Sequence, residues 1–163
     1  MQSGRAGAFR KGAAVTAFQP LALQHSWPLY EQGLHFDLGL VLDSVITDAL
    51  DPAFTGGLAA RHAGCWECNL ADDSLIWSGG VYDIFGLPRG VPVTRADAVR
   101  LYSEESRARM ERLRAHAIRH RRGFTIDLDI NSAVGGRRRM RLICAPVCEG
   151  ERVTRLHGLK LIL

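Results

Sequence analysis

The sequence has no uncharged apolar run of ~18 residues, the length a helix needs to cross a bilayer. A helical membrane span is therefore not expected. Arg5, Arg10 and Lys11 sit near the N-terminus, but Ala13 to Phe18 is too short and too mixed for a secretory signal core. A cytoplasmic chain without membrane attachment is the expectation. The sequence also lacks a G-x-S-x-G elbow, a P-loop, a Gly-rich dinucleotide fingerprint and an H-E-x-x-H motif. Those absences remove the reaction classes whose signatures are local. Six histidines leave a dispersed Ser-His-Asp or Cys-His set open.

Cysteine is scarce: Cys65, Cys68, Cys144 and Cys148. A C-x-x-C followed by a C-x-x-x-C has the outline of a split zinc site. On an extended strand, however, Cys65 and Cys68 fall on opposite faces, because side chains alternate. A thioredoxin-like reading of Cys-Trp-Glu-Cys lacks the helix N-terminus that lowers a thiol pKa. Reduced thiols are expected, and no metal site is assigned.

The composition is that of an ordinary folded domain. The 163 residues are 47% apolar and 23% charged, enough for one core with some extra chain. The net charge of +4 raises nucleic acid as a partner. An arginine-rich solvated surface explains the charge equally, since recognition needs a clustered stripe. Arg137, Arg138, Arg139 and Arg141 lie on one predicted strand and so point to both faces. Nucleic acid is therefore not the expected partner.

Residues 1–33 are expected to be a mobile or irregular arm. Residues 34–57 read as an amphipathic helix and linker. Leu38, Val41, Leu42, Val45 and Ala49 form its apolar stripe, and Asp51-Pro52 ends it. Such a helix must bury its face, against its own domain or against the same helix of a second subunit. Residues 58–163 read as the domain. Gly64 to Leu87 gives two short strands around the Ala71–Ser74 turn, then one helical turn capped by Ser78. Val81, Ile84 and Phe85 share that turn's apolar face. Thr94 and Ser103 are N-caps for two further helices. The longer carries the stripe Met110, Leu113, Ala117, with Gly123 as its stop. Phe124 to Asn131 alternates cleanly, Gly135-Gly136 turns, and two more strands follow. The expected fold class is α+β: a five-stranded antiparallel sheet with helices on one face, preceded by an amphipathic helix.

GCWECNLADDSLIWSGGVYDIFGLP resembles the start of a PAS domain of the bacterial sensory-box type, which opens with G-x-W-x-x-D/N-L and continues W-S-x-x-x-x-x-I-F-G. The likeness extends over about Gly64 to Leu163, through Gly123-Phe124, Gly136-Arg-Arg-Arg-Met-Arg, Ala145-Pro146-Val147 and Leu156-His157-Gly158. It departs where Arg139 replaces a frequent Trp, and where Lys160-Leu161-Ile162-Leu163 stands in place of an Asp-x-Thr segment. The resemblance implies a sensory or interaction domain in signal transduction, not a catalyst. It implies a homodimer through the N-terminal helix, with a separate signalling protein as output. It also implies a small-molecule ligand between sheet and helices, with candidate walls Trp77, Phe85, Tyr102, Met110, Leu113, Phe124 and Leu142. Those residues are equally the expected core. A ligand-free assembly module and a basic nucleic-acid-associated regulator are the alternatives. The sequence requires no cofactor. Haem-binding members use a helix histidine, which makes His116 and His120 weak haem or metal candidates. Flavin photochemistry would need an N-C-R-F-L-Q-like helix, and no such motif occurs.

Overall fold

The computed structural model describes residues 26–37, 58–59 and 62–163. Leu38, Val41, Leu42, Val45 and Ala49, the expected dimer stripe, lie outside the described residues.

The opening strand, β2 (Ala63–Asn69), alternates as its sequence predicts. Trp66 and Cys68 join the helix-side core, while Ala63 and Cys65 join a cluster on the opposite face. Glu67 lies on that opposite face too, buried and paired with Arg155 at 3.1 Å. The turn after β2 is held by side chains. Asn69 accepts from the Ala71 N–H at 2.9 Å and Asp72 from the Ser74 N–H at 3.0 Å. The return strand is β3 (Leu75–Trp77).

Helix α2 (Gly79–Phe85) follows and buries Val81, Ile84 and Phe85. Ser78 precedes it without capping it through its side chain. The hydroxyl instead accepts the Cys65 N–H at 2.9 Å, tying helix entry to β2. The capping expectation is corrected: a buried strand donor competes for the same oxygen. Gly64 and Gly80 let α2 lie directly on β2, since a methyl group on either would overlap the other segment's backbone.

Helix α3 (Arg95–Arg100) starts at a capping box made by Thr94 and Asp97. Helix α4 (Glu104–His120) is capped by Ser103 and buries Met110, Leu113 and Ala117, the expected stripe. Its Ser106 hydroxyl accepts the Asp129 N–H at 2.9 Å and fastens the helix to the sheet. Arg121, not Gly123, takes the left-handed conformation at the helix end. Gly123 already lies in β4 (Arg122–Asn131). It is small because the Trp27 indole lies against it where a Cβ would project.

Strands β5 (Arg137–Glu149) and β6 (Arg152–Ile162) complete the sheet. Within the expected arm, Ser26–Pro28 forms an edge strand, β1, paired antiparallel with the start of β4. The described sheet thus has six antiparallel strands in the order β1-β4-β5-β6-β2-β3, one more than expected. A four-residue helix, α1 (Gln32–His35), then brings Phe36 onto the outer face. Trp27, Phe36, Leu58, Ile143 and Leu159 pack there. The other face carries α2, α3 and α4 over the main core. Phe85, Leu113 and Phe124 are almost wholly buried in it, each contributing about 1.5–3 kcal/mol.

Candidate ligand pocket

Strand β6 lies between β5 and β2, with the main core over its helix-side face. Leu156 and Lys160 share that inward register. Lys160 stands opposite Leu142 of β5 and Gly64 of β2, and is 6% exposed. Its Nζ donates to the Tyr102 hydroxyl at 3.2 Å. It also lies 4.7 Å from the Trp66 ring centroid, 5.5 Å from Phe85 and 5.9 Å from Tyr102. These rings attract a cation through their quadrupoles. No carboxylate among the described residues pairs with the ammonium.

The electrostatics follow from burial. Desolvation pushes the Lys160 amine down to about 8, and the Cys144 and Cys68 thiols act weakly in the opposite sense. The same desolvation raises the Tyr102 phenol and the Cys144 thiol, so both are neutral near pH 7. Burial also raises the Cys68 thiol, with Arg114 opposing it. Tyr102 therefore accepts from Lys160 and keeps its own hydroxyl hydrogen as a donor. Trp66 Nε1 is buried with no hydrogen-bond partner. Such orphan donors are rare in native cores, because each forfeits its bond to water.

A cavity of about 60 Å³ lies between the sheet and helices α3 and α4, and Lys160 is not among the residues that line it. Trp66, Tyr102 and Cys144 are common to the cavity wall and to the surroundings of Lys160. Leu75, Val99, Met110 and Leu156 supply apolar wall, and Arg95 and Arg114 also line it. Arg114 pairs with Asp73 at 3.1 Å, and Arg95 pairs with Glu111.

Of the seven wall residues expected from sequence, Tyr102, Met110, Phe124 and Leu142 line the cavity. Phe85 and Leu113 belong to the same core without lining it. Trp77 stacks on Phe85 with centroids 5.1 Å apart and faces an open trough of about 630 Å³ beside Tyr82 and Val91. Trough and cavity share Leu75 and Arg95 as walls, while Trp77 lines the trough and not the cavity. Sequence reading does not single out Lys160, Trp66 or Cys144 as site residues. The available signal was the two-residue period of β6, which places Lys160 with Leu156 on the inner face.

The cavity between the sheet and helices α3 and α4 does not fit haem or flavin. A cavity of about 60 Å³ is well below the ~300 Å³ at which cofactor pockets begin. His116 and His120 lie on α4 with rings 4.4 Å apart, and neither lines the cavity. On the outer face, Arg141 pairs with Asp127 at 2.8 Å, and Arg137 with Asp129 at 2.7 Å. Arg138 points the other way and donates to the Asp83 and Ile84 carbonyls at the end of α2. The arginine run is therefore split between faces and largely matched by acids. Among the described residues, no helix is long and apolar enough to cross a membrane.

No protein-family model matches the sequence, and no curated protein matches it. Solved structures do. An RNA-binding Light-Oxygen-Voltage receptor superposes with a TM-score of 0.56 at 16% identity, over 62% of this chain and 29% of its own. The chain thus corresponds to less than a third of that receptor's length. A sensory box histidine kinase/response regulator from Burkholderia thailandensis E264 gives 0.58 at 17% identity, over 68% of this chain and 83% of that one. The N-terminal domain of a diguanylate cyclase with PAS/PAC sensor from Marinobacter aquaeolei gives 0.56 at 15%, over 61% and 94%. At these identities the likeness concerns the fold, and the fold is that of PAS domains.

Proposed function

We propose, with the PAS fold as premise, that this chain is a cytoplasmic sensory and interaction module of signal transduction. A small ligand held between sheet and helices shifts the balance between two arrangements of the domain. The output passes to a partner protein through the altered surface. The module binds and does no catalysis. It dimerises through an amphipathic helix that carries Leu38, Val41, Leu42, Val45 and Ala49.

The observation that supports a ligand over bare packing is Lys160. A core that serves only stability gains nothing from an ammonium without a counter-charge, because burying a charge is expensive. Lys160 stands over the ring of Trp66, whose indole N–H has no partner, and its neighbours Trp66, Tyr102 and Cys144 wall a cavity. That combination supports a site completed by something else.

Native mass spectrometry of protein freshly purified from its host tests this reading. The expected result is an added small-molecule mass that denaturation removes and that is missing from Leu142→Trp, which fills the cavity. An unliganded spectrum for protein from every growth condition, with the folded variant indistinguishable in signalling output, would leave an assembly module. Separately, Val45→Asp is expected to turn a dimer into a monomer in sedimentation. An unchanged oligomer from a folded variant refutes that helix as the interface.

A further inference from the structure

Strand β3 ends the sheet, with β2 on one side and, among the described residues, no strand on the other. Its hydrogen-bond directions follow from two bonds to β2. The Asn69 N–H donates to the Ser74 carbonyl at 2.9 Å, and the Ser78 N–H to the Cys65 carbonyl at 2.9 Å. Glu67 stands opposite Ile76 between them. Backbone groups alternate in direction along an antiparallel strand. Ser74, Ile76 and Ser78 therefore turn theirs to β2, and Leu75 and Trp77 turn theirs outward. Among the described residues, nothing bonds the backbone N–H or C=O of Leu75 or Trp77. Such a row of unpaired groups is a template for another strand.

The same two residues line the trough of about 630 Å³. Tyr82, Val91, Pro92 and Val93 line it from α2 and the loop beyond. This wall is preformed. The Tyr82 hydroxyl donates to the Val91 carbonyl at 3.1 Å and fastens the loop to the helix. Trp77 is held by Phe85 and by the edge of Tyr82, with centroids 5.1 Å and 5.2 Å away. Ile76 points to the other face of β3 and is 50% exposed. Leu75-Ile76-Trp77 carries no charge and no proline, the usual devices that discourage pairing at an edge. Asp72 and Asp73 also line the trough. Asp73 pairs with Arg114 at 3.1 Å, and Arg95 with Glu111. The side chain and N–H of Ser74 hold the Asp72 carboxyl below its ordinary range. Among the described residues, no cation pairs with Asp72. The unmatched charge on the trough wall is therefore negative.

We infer that the β3 edge takes an extended peptide segment of a partner protein, paired with Leu75 and Trp77 as a seventh strand of the six-stranded sheet. The two residues offer an N–H and a C=O each, so main-chain bonds supply the register. Side chains of the added strand alternate between faces. Those on the trough side meet Trp77, Tyr82, Val91 and Val93, and are apolar. A Lys or Arg at the Asp72 end meets the unmatched carboxylate. The inference rests on the partner-binding part of the reading above, names the surface, and needs no ligand in the cavity. Because Leu75 and Arg95 wall both spaces, cavity and peptide site have residues in common.

Other occupants match these features less well. A small molecule against the apolar wall leaves the edge groups of Leu75 and Trp77 to water. The β3 edge of a second copy pairs those groups, but its stretch Ala71 to Ser78 brings two aspartates and no cation. A partner segment with apolar residues at alternate positions and one basic residue satisfies the backbone, the aromatic wall and the charge together.

Random heptapeptides displayed on phage and selected against the full chain supply the probe. The selected sequences should alternate apolar residues and carry a Lys or Arg towards one end. As labelled synthetic peptides they should bind with Kd of about 1–100 µM in fluorescence anisotropy. A backbone N-methyl scan reads strand pairing directly, since only alternate N–H groups of the peptide point at β3. Methyl groups at every second position should cost at least about tenfold, and those between less than about twofold. Val93→Asp should cost at least about tenfold. Asp72→Asn should cost about 2- to 5-fold, as for an exposed ion pair. Thermal melts establish that both variants fold. Amide exchange followed by NMR is the second readout. The Leu75 and Trp77 amides should exchange faster than that of Ile76 in the free protein, and at least about tenfold slower with peptide bound. Peptides that bind with a flat N-methyl scan and leave those two amides exchanging overturn strand addition, while a partner-binding module stands. A library that yields no binder at about 1 mM removes both. Leu75 and Trp77 amides already protected in the free protein overturn the partner segment. The edge then belongs to a second copy if dilution restores exchange, and to the chain's own residues if it does not.

Discussion

Replacing Lys160 with Met should stabilise the unliganded protein at neutral pH. Burial moves the amine from its ordinary 10.5 to about 8, a difference of about 2.5 pH units. At roughly 1.4 kcal/mol per unit, holding the charged form in the folded state costs about 3 kcal/mol. The Tyr102 hydrogen bond and the ring contacts are lost with the amine, which returns about 1 kcal/mol. Met matches the length and unbranched shape of the Lys stem. The variant should therefore be about 2 kcal/mol more stable at pH 7. The sign with pH follows from linkage. The folded pKa lies below the unfolded one, so the penalty is fully present below pH 8 and disappears as pH rises to about 10.5. Wild type should gain about 3 kcal/mol on the variant across that window, and the order should reverse at its top. Urea denaturation of both proteins at intervals from pH 7 to pH 10.5 measures this. A wild type as stable as Lys160→Met at pH 7, with a difference that ignores pH, refutes an uncompensated ammonium in the core.

Other perturbations probe the frame around the site. Ser78→Ala leaves the buried Cys65 N–H without its acceptor, and should cost about 1–3 kcal/mol in urea denaturation. A loss within ~0.5 kcal/mol would mean that this bond does not hold α2 to β2. Gly123→Ala should push the Trp27 indole off the sheet, red-shift its fluorescence and cost about 1–3 kcal/mol, as overpacking does. An unchanged spectrum would contradict that contact. His157 is half-buried on the outer face beside Phe36, and the loss of solvent pushes its imidazole down to about 4, with Arg155 adding to the effect. Its folded pKa lies below the unfolded 6.5, so stability is fully present above pH 6.5 and falls towards pH 4, by up to about 3 kcal/mol. His157→Gln should abolish that part of the acid sensitivity, as read from melts at pH 7 and pH 4.

What the sequence conveyed well was local. The alternation of β2, the stripe of α4, the Thr94 and Ser103 caps and the Gly135-Gly136 turn all depend on neighbours in the chain. What it conveyed poorly depends on distant partners. Ser26 pairs with Phe124, so nothing near Trp27 announces an edge strand. Gly123 looks like a helix stop until the indole against it is known. Ser78 has the composition of a cap, and a strand nitrogen takes its oxygen. Four of the seven expected wall residues line the cavity because core and cavity share one face of the sheet. Lys160 was legible in its register, but a single lysine in a strand reads as an exposed charge. Only its place between β5 and β2 makes it a buried one.

The most direct measurement is a methyl spectrum of protein labelled at its methionines. Met110 lines the cavity; Met140 lies in the same core but does not line it. Between protein carrying its host-acquired ligand and the same protein refolded without it, the account predicts a shift of the Met110 methyl much larger than that of Met140, absent from Leu142→Trp. Met110 and Met140 signals that stay still, or that move together and survive the substitution, would contradict a ligand held in that cavity.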